Sequence, residues 1–211
     1  MEYLEIDMKH FNRRDHFEHF RKMDYPFCGA TVQMDITKFL QHIQTKQRSF
    51  FLSVLYEAVN TANHIDAFRQ RIKDDRIIQY ASCESSHTVL KEDKTYCYCK
   101  LDCSMPKDVF FPYAVQMQEE AKQRGTIEED EDYLSYYFVT TLPWISYSTI
   151  TQAIANNKDS NPRISWGKYY QQGTRTILPV TVLGNHALID GWHLHLFFDE
   201  LSKRLSMNDS K

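Results

Sequence analysis

The sequence predicts a single mixed domain of the α/β or α+β class over residues 1–211, and three observations carry that prediction. Helical and strand-like patterns are interleaved along the chain instead of being segregated into halves. Hydrophobic residues make up 42% and aromatic residues 14% of the 211 residues, enough to bury a substantial core at a length one domain accommodates. No internal repeat, low-complexity tract or linker breaks the pattern.

The elements follow from spacing. A first helix begins near Asp15, with Phe17, Phe20 and Arg21 at helical intervals. Val32 and Met34 alternate with Thr31, Gln33 and Asp35, which reads as a strand from Ala30 to Asp35. Thr37 is placed to N-cap a helix through Lys46 whose apolar face holds Phe39, Leu40 and Ile43. A broader stripe of Phe51, Leu52, Leu55, Ala58, Val59 and Ala62 predicts a more buried helix from Ser49 to Asn63. Asp74-Asp75 precedes a short strand from Arg76 to Tyr80. Thr88–Leu90 and Thr95–Leu101 read as a hairpin around Lys91-Glu-Asp-Lys94. Pro106 opens and Gly125 stops a helix that runs to Arg124. The acidic run from Glu128 to Asp132 reads as a solvated loop. Strands are expected at Tyr136–Thr140, Arg163–Tyr170 and Arg175–His186, with a polar loop at Asn156–Pro162 and a turn at residues 171–174. An amphipathic helix from Gly191 to Leu205, burying Leu194, Phe197, Phe198 and Leu201, closes the chain.

Composition removes several function classes. A net charge of −3 gives no global field toward nucleic acid or an anionic membrane. The start, Met-Glu-Tyr-Leu-Glu-Ile-Asp, lacks the basic-then-apolar plan of a signal peptide, and no stretch approaches the ~18 apolar residues of a membrane span. Five cysteines, Cys28, Cys83, Cys97, Cys99 and Cys103, form no CxxC pair and read as reduced thiols of a cytoplasmic protein. The six glycines fit neither GxGxxG nor GxxxxGK, and GxSxG and HExxH are absent.

One dense cluster remains, Val182-Leu-Gly-Asn-His-Ala-Leu-Ile-Asp-Gly-Trp-His-Leu-His195. An apolar strand ends there in polar residues and turns at Asp190-Gly191 into a helix, a place where rigid scaffold meets solvent. His186 fits a general base, since a histidine accepts protons near neutral pH. On spacing alone it fits a structural hydrogen-bonder as well, and Asp190 fits a helix cap. A metal site of His186, Asp190, His193 and His195 is disfavoured, because residues 193 and 195 diverge on a helix.

The HxxxDG pattern of His186 to Gly191, followed by an amphipathic helix, resembles the coenzyme A-dependent acyltransferases typified by the chloramphenicol acetyltransferase family. Phe11-Asn-Arg-Arg-Asp-His-Phe17, Asp35-Ile-Thr37, Phe68-Arg69, Lys73-Asp74, Leu142-Pro-Trp144 and Gly167-Lys-Tyr-Tyr170 resemble family segments in order and spacing. The match covers nearly the whole chain. The resemblance implies a two-layer sandwich with a mixed β-sheet flanked by helices, the CoA-dependent acyltransferase fold.

It also implies roles. His186 would be the base in direct acetyl transfer from acetyl-CoA to a small acceptor alcohol, with chloramphenicol's primary hydroxyl the first expectation. No metal and no acyl-enzyme are implied. Asp190 would pair with Arg13, or with the neighbouring Arg14 if the correspondence slips by one. Thr140 would serve as oxyanion donor where the family has Ser, and Ser165 would hold a water nearby. The acceptor pocket would involve His19, Phe20, Tyr96, Ile150 and Gln152, several of them departures from the family's aromatic and aliphatic residues. Asn185 replaces a first histidine of the motif. Lys168 and Arg175 are candidates for the cofactor phosphates. The family's homotrimer, with each active site at a subunit boundary, is implied in turn. A change of acceptor to another alcohol or amine, and a non-catalytic binding homologue, stay open beside this reading.

Overall fold

The computed structural model describes residues 2–128 and 131–206, so Glu129 and Asp130 of the acidic run lie outside the described residues. The order is β1 (Tyr3–Glu5), α1 (Arg14–Phe20), β2 (Phe27–Asp35), α2 (Thr37–Thr45), α3 (Phe50–Asn63), α4 (Asp66–Arg69), β3 (Gln70–Lys73), β4 (Arg76–Tyr80), β5 (Glu84–Leu90), β6 (Tyr96–Leu101), α5 (Lys107–Arg124), a 3₁₀ turn at Tyr133–Ser135, β7 (Tyr136–Leu142), β8 (Arg163–Gly167), β9 (Tyr170–Gln172), β10 (Arg175–Asn185) and α6 (Gly191–Ser206). Among the described residues the strands form a three-stranded sheet, β1-β4-β3, and a seven-stranded sheet, β2-β10-β8-β7-β5-β6, with β9 also on β10. Pairing is parallel at β5–β7 and β7–β8 and antiparallel elsewhere in that sheet. This is a mixed sheet flanked by helices.

Because side chains alternate along a strand, register assigns each residue to a face. One row runs from Ala30 through Val182, Ile164, Val139 and His87 to Cys99. Val180 likewise lies between Val32 and Trp166. These side chains form the core with the helices. The layer includes α6, whose Leu194, Phe197, Phe198, Leu201 and Leu205 are buried. Each such side chain contributes about 1.5–3 kcal/mol as an upper bound, so α6 is firmly docked from Leu194 to Leu205. The opposite face carries a different row. Thr31, Thr181, Ser165 and Thr140 stand side by side on four adjacent strands.

Several expectations needed revision. Thr37 is the first residue of α2 and not its cap. Its hydroxyl donates to Asp35 Oδ1 at 2.6 Å and accepts from the Thr176 amide at 2.8 Å, and Asp35 itself receives the Thr37 amide. A carboxylate two residues earlier thus performs the local capping. Strand β2 starts at Phe27, three residues before the expected Ala30, because β10 pairs with it as far as Asn185. Strand β5 starts at Glu84 and not at Thr88. The expected strand Arg163–Tyr170 divides into β8 and β9, and β10 ends at Asn185, one residue before His186. The turn between β9 and β10 narrows to Gly173-Thr174, with Gly173 at φ 63°, in the left-handed region that glycine adopts without strain. The short elements β1, β3 and α4 had no periodic signal.

All five cysteines are free thiols, Cys28 half-buried and the others buried. Among the described residues no helix is long and apolar enough to cross a membrane.

Candidate active site

Strand β10 delivers the site residues. Asn185, its last member, is buried and turns its amide onto the Asn157 and Asp159 carbonyls at 3.2 and 3.0 Å. Its side-chain oxygen accepts the Ala187 amide at 3.0 Å. The residue that replaces the motif's first histidine therefore clamps the 156–162 loop to the end of the strand. Sequence reasoning assigned it no role, and an Asn directly before His186 was the available signal.

His186 begins the five-residue connection to α6. Its amide donates to the Pro26 carbonyl at 2.7 Å. Its ring stacks on Phe20, with centroids 3.8 Å apart and planes at 16°. Nδ1 lies 3.1 Å from the Ile189 carbonyl. A carbonyl only accepts, so this bond puts the proton on Nδ1 and leaves Nε2 with its lone pair. Oriented by the Phe20 stack and the Ile189 carbonyl, the ring is arranged as a base. The Cys28 thiol donates to the same carbonyl at 3.2 Å, and burial pushes that thiol up to about 11, so it is a hydrogen-bonder and no nucleophile.

Asp190 closes the connection. Its Oδ1 accepts the amides of Trp192 and His193 at 2.9 and 3.3 Å, which makes it the N-cap of α6. Its Oδ2 receives the Arg13 guanidinium. Arg13 also reaches the His186 carbonyl at 3.5 Å, so one side chain spans both ends of the connection. Arg14 is exposed and is the first residue of α1. Burial would raise the Asp190 carboxyl, but His193 and Arg13 outweigh it and bring it down to about 2.

The sign of the resulting pH dependence follows. An unfolded Asp titrates near ~3.9, so below that pH the unfolded chain binds the extra proton. The stability from this group is complete above that value and is lost as pH falls through about 2. The stability gap between wild type and Asp190→Asn, followed by urea unfolding from pH 5 down to 2, should narrow steadily. A constant gap would show that the carboxylate's charge contributes nothing.

The remaining predicted residues separate into two places. His19, exposed, sits edge-on to Phe20 with centroids 5.0 Å apart, on the ring that stacks on His186. Ser165 and Thr140 lie on the hydroxyl row. Ser165 is level with Thr181, five residues before His186, or about 16 Å along the strand. Gln152 donates to the Ser165 hydroxyl. Ile150 lies half-buried in the connection before β8. Tyr96 is on β6, at the opposite edge of the sheet from β2. One chain therefore does not bring His186 together with Thr140, Ser165, Tyr96 or Gln152. Lys168 and Arg175 are exposed, between β8 and β9 and at the start of β10.

The four residues weighed as metal ligands do not converge. His193 turns onto Asp190 at 2.8 Å, and the His195 ring contacts Trp192. Among the described residues no group of three or more His, Cys, Asp or Glu side chains is placed to hold a metal ion.

Comparison with known proteins gives a consistent result. The family model described as chloramphenicol acetyltransferase matches residues 1–202. The chain is 27% identical over 207 residues to chloramphenicol acetyltransferase 3 of Escherichia coli, covering 96% of this chain and 97% of that one. It is 26% identical over 205 residues to chloramphenicol acetyltransferase 2 of Haemophilus influenzae, covering 95% and 96%. A solved chloramphenicol acetyltransferase superposes with a TM-score of 0.90 at 23% identity, covering 97% of this chain and all of that one. The dihydrolipoamide acetyltransferase of Azotobacter vinelandii shares the fold with a TM-score of 0.68 at 16% identity, covering 92% and 86%.

Proposed function

The chain belongs to the chloramphenicol acetyltransferase family, and from that premise we propose that it moves the acetyl group of acetyl-CoA to a small hydroxyl acceptor with His186 as general base. It is an acyltransferase of the chloramphenicol acetyltransferase type, and chloramphenicol's primary hydroxyl is the first acceptor to consider. The observation that carries the reading is the Nδ1 contact with the Ile189 carbonyl, because it leaves Nε2 as the basic atom.

In this mechanism His186 Nε2 takes the proton of the acceptor hydroxyl as its oxygen attacks the thioester carbonyl. The C–S bond then breaks, and His186 returns the proton to the departing thiolate of CoA. Such base catalysis contributes about 10²–10⁴-fold. The Thr140 hydroxyl donates to the oxygen that becomes negative, an interaction worth about 10²–10³-fold where such donors have been removed. Exposed Lys168 and Arg175 suit the polyanionic phosphates of the co-substrate.

A single copy leaves the hydroxyl row about 16 Å from the base. This supports a homotrimer in which one copy supplies His186, His19 and Phe20. The next copy then supplies Thr140, Ser165, Tyr96, Ile150 and Gln152. Its setting is the cytoplasm.

A second reading keeps this chemistry and changes the acceptor. Two polar groups favour it, His19 beside Phe20 and Gln152 on Ser165, since polar side chains alter how an apolar acceptor is desolvated. Release of CoA thiol from acetyl-CoA, followed with chloramphenicol and with a panel of other small alcohols and amines, separates the readings. Release with chloramphenicol supports the first. Release with other acceptors alone supports the second. No release with any of them sinks the enzymatic reading.

A further inference from the structure

The third residue of α6, His193, has a ring that is mostly buried, with 15% of its side chain exposed. Nδ1 lies 2.8 Å from Asp190 Oδ1. Asp190, brought down to about 2, is a carboxylate at neutral pH. A carboxylate only accepts, so the proton of this bond belongs to Nδ1. The Asp190 amide is also 3.2 Å from Nδ1, but a protonated nitrogen offers it no lone pair. Burial and the Arg13 charge together lower the basicity of His193 against the pull of Asp190, and the Nδ1 proton points at Oδ1.

We propose that His193 is a positioning residue for the base, locking the Asp190 carboxylate in the one orientation that lets Arg13 hold both ends of the His186 loop. The Nδ1–H bond joins the two helix amides on Oδ1, and with Oδ1 held from three sides Oδ2 is left facing Arg13. Arg13 then reaches the His186 carbonyl as well. Ile189 directly precedes Asp190, and its carbonyl decides which nitrogen of His186 is basic. Release of Asp190 from Arg13 therefore loosens the loop backbone that carries the acceptor setting the tautomer of His186. Hydrogen bonds from outer groups orient catalytic and metal-bound imidazoles in the same manner.

This inference rests on the reading of His186 as base, and its test keeps the two apart. His193→Phe should lower kcat by about 10²-fold, the scale of a 1 Å misplacement, with the KM for acetyl-CoA held within about twofold. His193→Asn, whose amide nitrogen falls near the position of Nδ1, should recover most of that loss. Ring ¹⁵N spectra of the wild-type protein should show the proton on Nδ1 of both His193 and His186. In His193→Phe the His186 signals should become a mixture of tautomers. Equal kcat in the Phe and Asn variants overturns the proposal, as does a kcat for His193→Phe within about twofold of wild type. A wild-type spectrum with the proton on Nε2 of His193 overturns it too, without any variant having to fold. If the base reading itself is wrong, His186→Ala keeps its activity while the His193 spectrum stays as described.

Discussion

Replacing His186 with alanine is expected to lower kcat for acetyl transfer by about 10²–10⁴-fold, with little change in the KM for acetyl-CoA. The size follows from what is removed. Nε2 is the one nitrogen of the ring left without a bond to the protein's own carbonyls, and the stack on Phe20 at 3.8 Å fixes the plane in which its lone pair points. Alanine removes both base and stack, so a second variant isolates the base. His186→Asn keeps a side-chain donor near Nδ1 for the Ile189 carbonyl and supplies no basic nitrogen. The two variants should therefore be about equally slow. CoA thiol release, measured at saturating acetyl-CoA with whichever acceptor the wild type uses, reads the effect directly. If His186→Asn keeps more than about a tenth of wild-type kcat, proton removal is performed elsewhere.

The largest expected effect on stability is at Arg71, far from the chemistry. Its side chain is fully buried, and among the described residues its hydrogen-bond partners are backbone carbonyls and the Cys83 sulfur. Nε donates to the Leu134 carbonyl at 2.7 Å, Nη1 to the Phe68 and Gln70 carbonyls at 2.8 and 2.7 Å, and Nη2 to the Tyr136 carbonyl at 3.1 Å. The guanidinium also lies over the Tyr137 ring at 5.4 Å. It joins α4 and β3 to the start of β7 by these hydrogen bonds and the contact with the Tyr137 ring. Arg71→Met would leave several buried carbonyls without donors, each costing about 1–3 kcal/mol. The expected loss is on the order of 3–5 kcal/mol, or roughly 10 °C in Tm for a chain of this size. Arg71→Lys should be nearly as damaging, because one ammonium cannot reproduce the planar fork. Arg76→Met serves as the control. Its ion pair with Glu5 is exposed at both ends, and such pairs are worth about 0–1 kcal/mol. Denaturant unfolding of the three variants checks the order. A loss below about 1 kcal/mol at Arg71 would mean that water replaces the guanidinium.

Legibility in the sequence varied with how local each signal was. The run from β10 into α6 was readable because an apolar strand, a polar turn and an amphipathic helix follow one another without interruption. Strand β5 was readable only in its second half. Its first residues, Glu84-Ser-Ser-His, look like a loop, yet Ser85, Ser86 and His87 are all buried between β6 and β7. Neighbouring strands supply the hydrogen bonds there, so polar residues enter a core that a periodicity argument reserves for apolar ones. The core-facing His87 shows the consequence, with burial pushing its basicity down to about 3. Thr37 was misjudged for a related reason, since the capping oxygen belongs to Asp35 and the hydroxyl is taken by an amide from β10.

His186 itself marks the division. Residue order alone put a histidine at a strand end, an aspartate four residues on and a helix after it, because chain connectivity and side-chain periodicity are local properties. Which of its nitrogens is basic depends on the Ile189 carbonyl, and that carbonyl's place depends on Asp190, Arg13 and His193 meeting across 177 residues of chain. The hydroxyl row likewise exists only once β2, β10, β8 and β7 lie side by side. Hydrogen bonds act over about 3 Å, so they are decided by which segments the packed core brings together, a matter on which sequence neighbours carry no information.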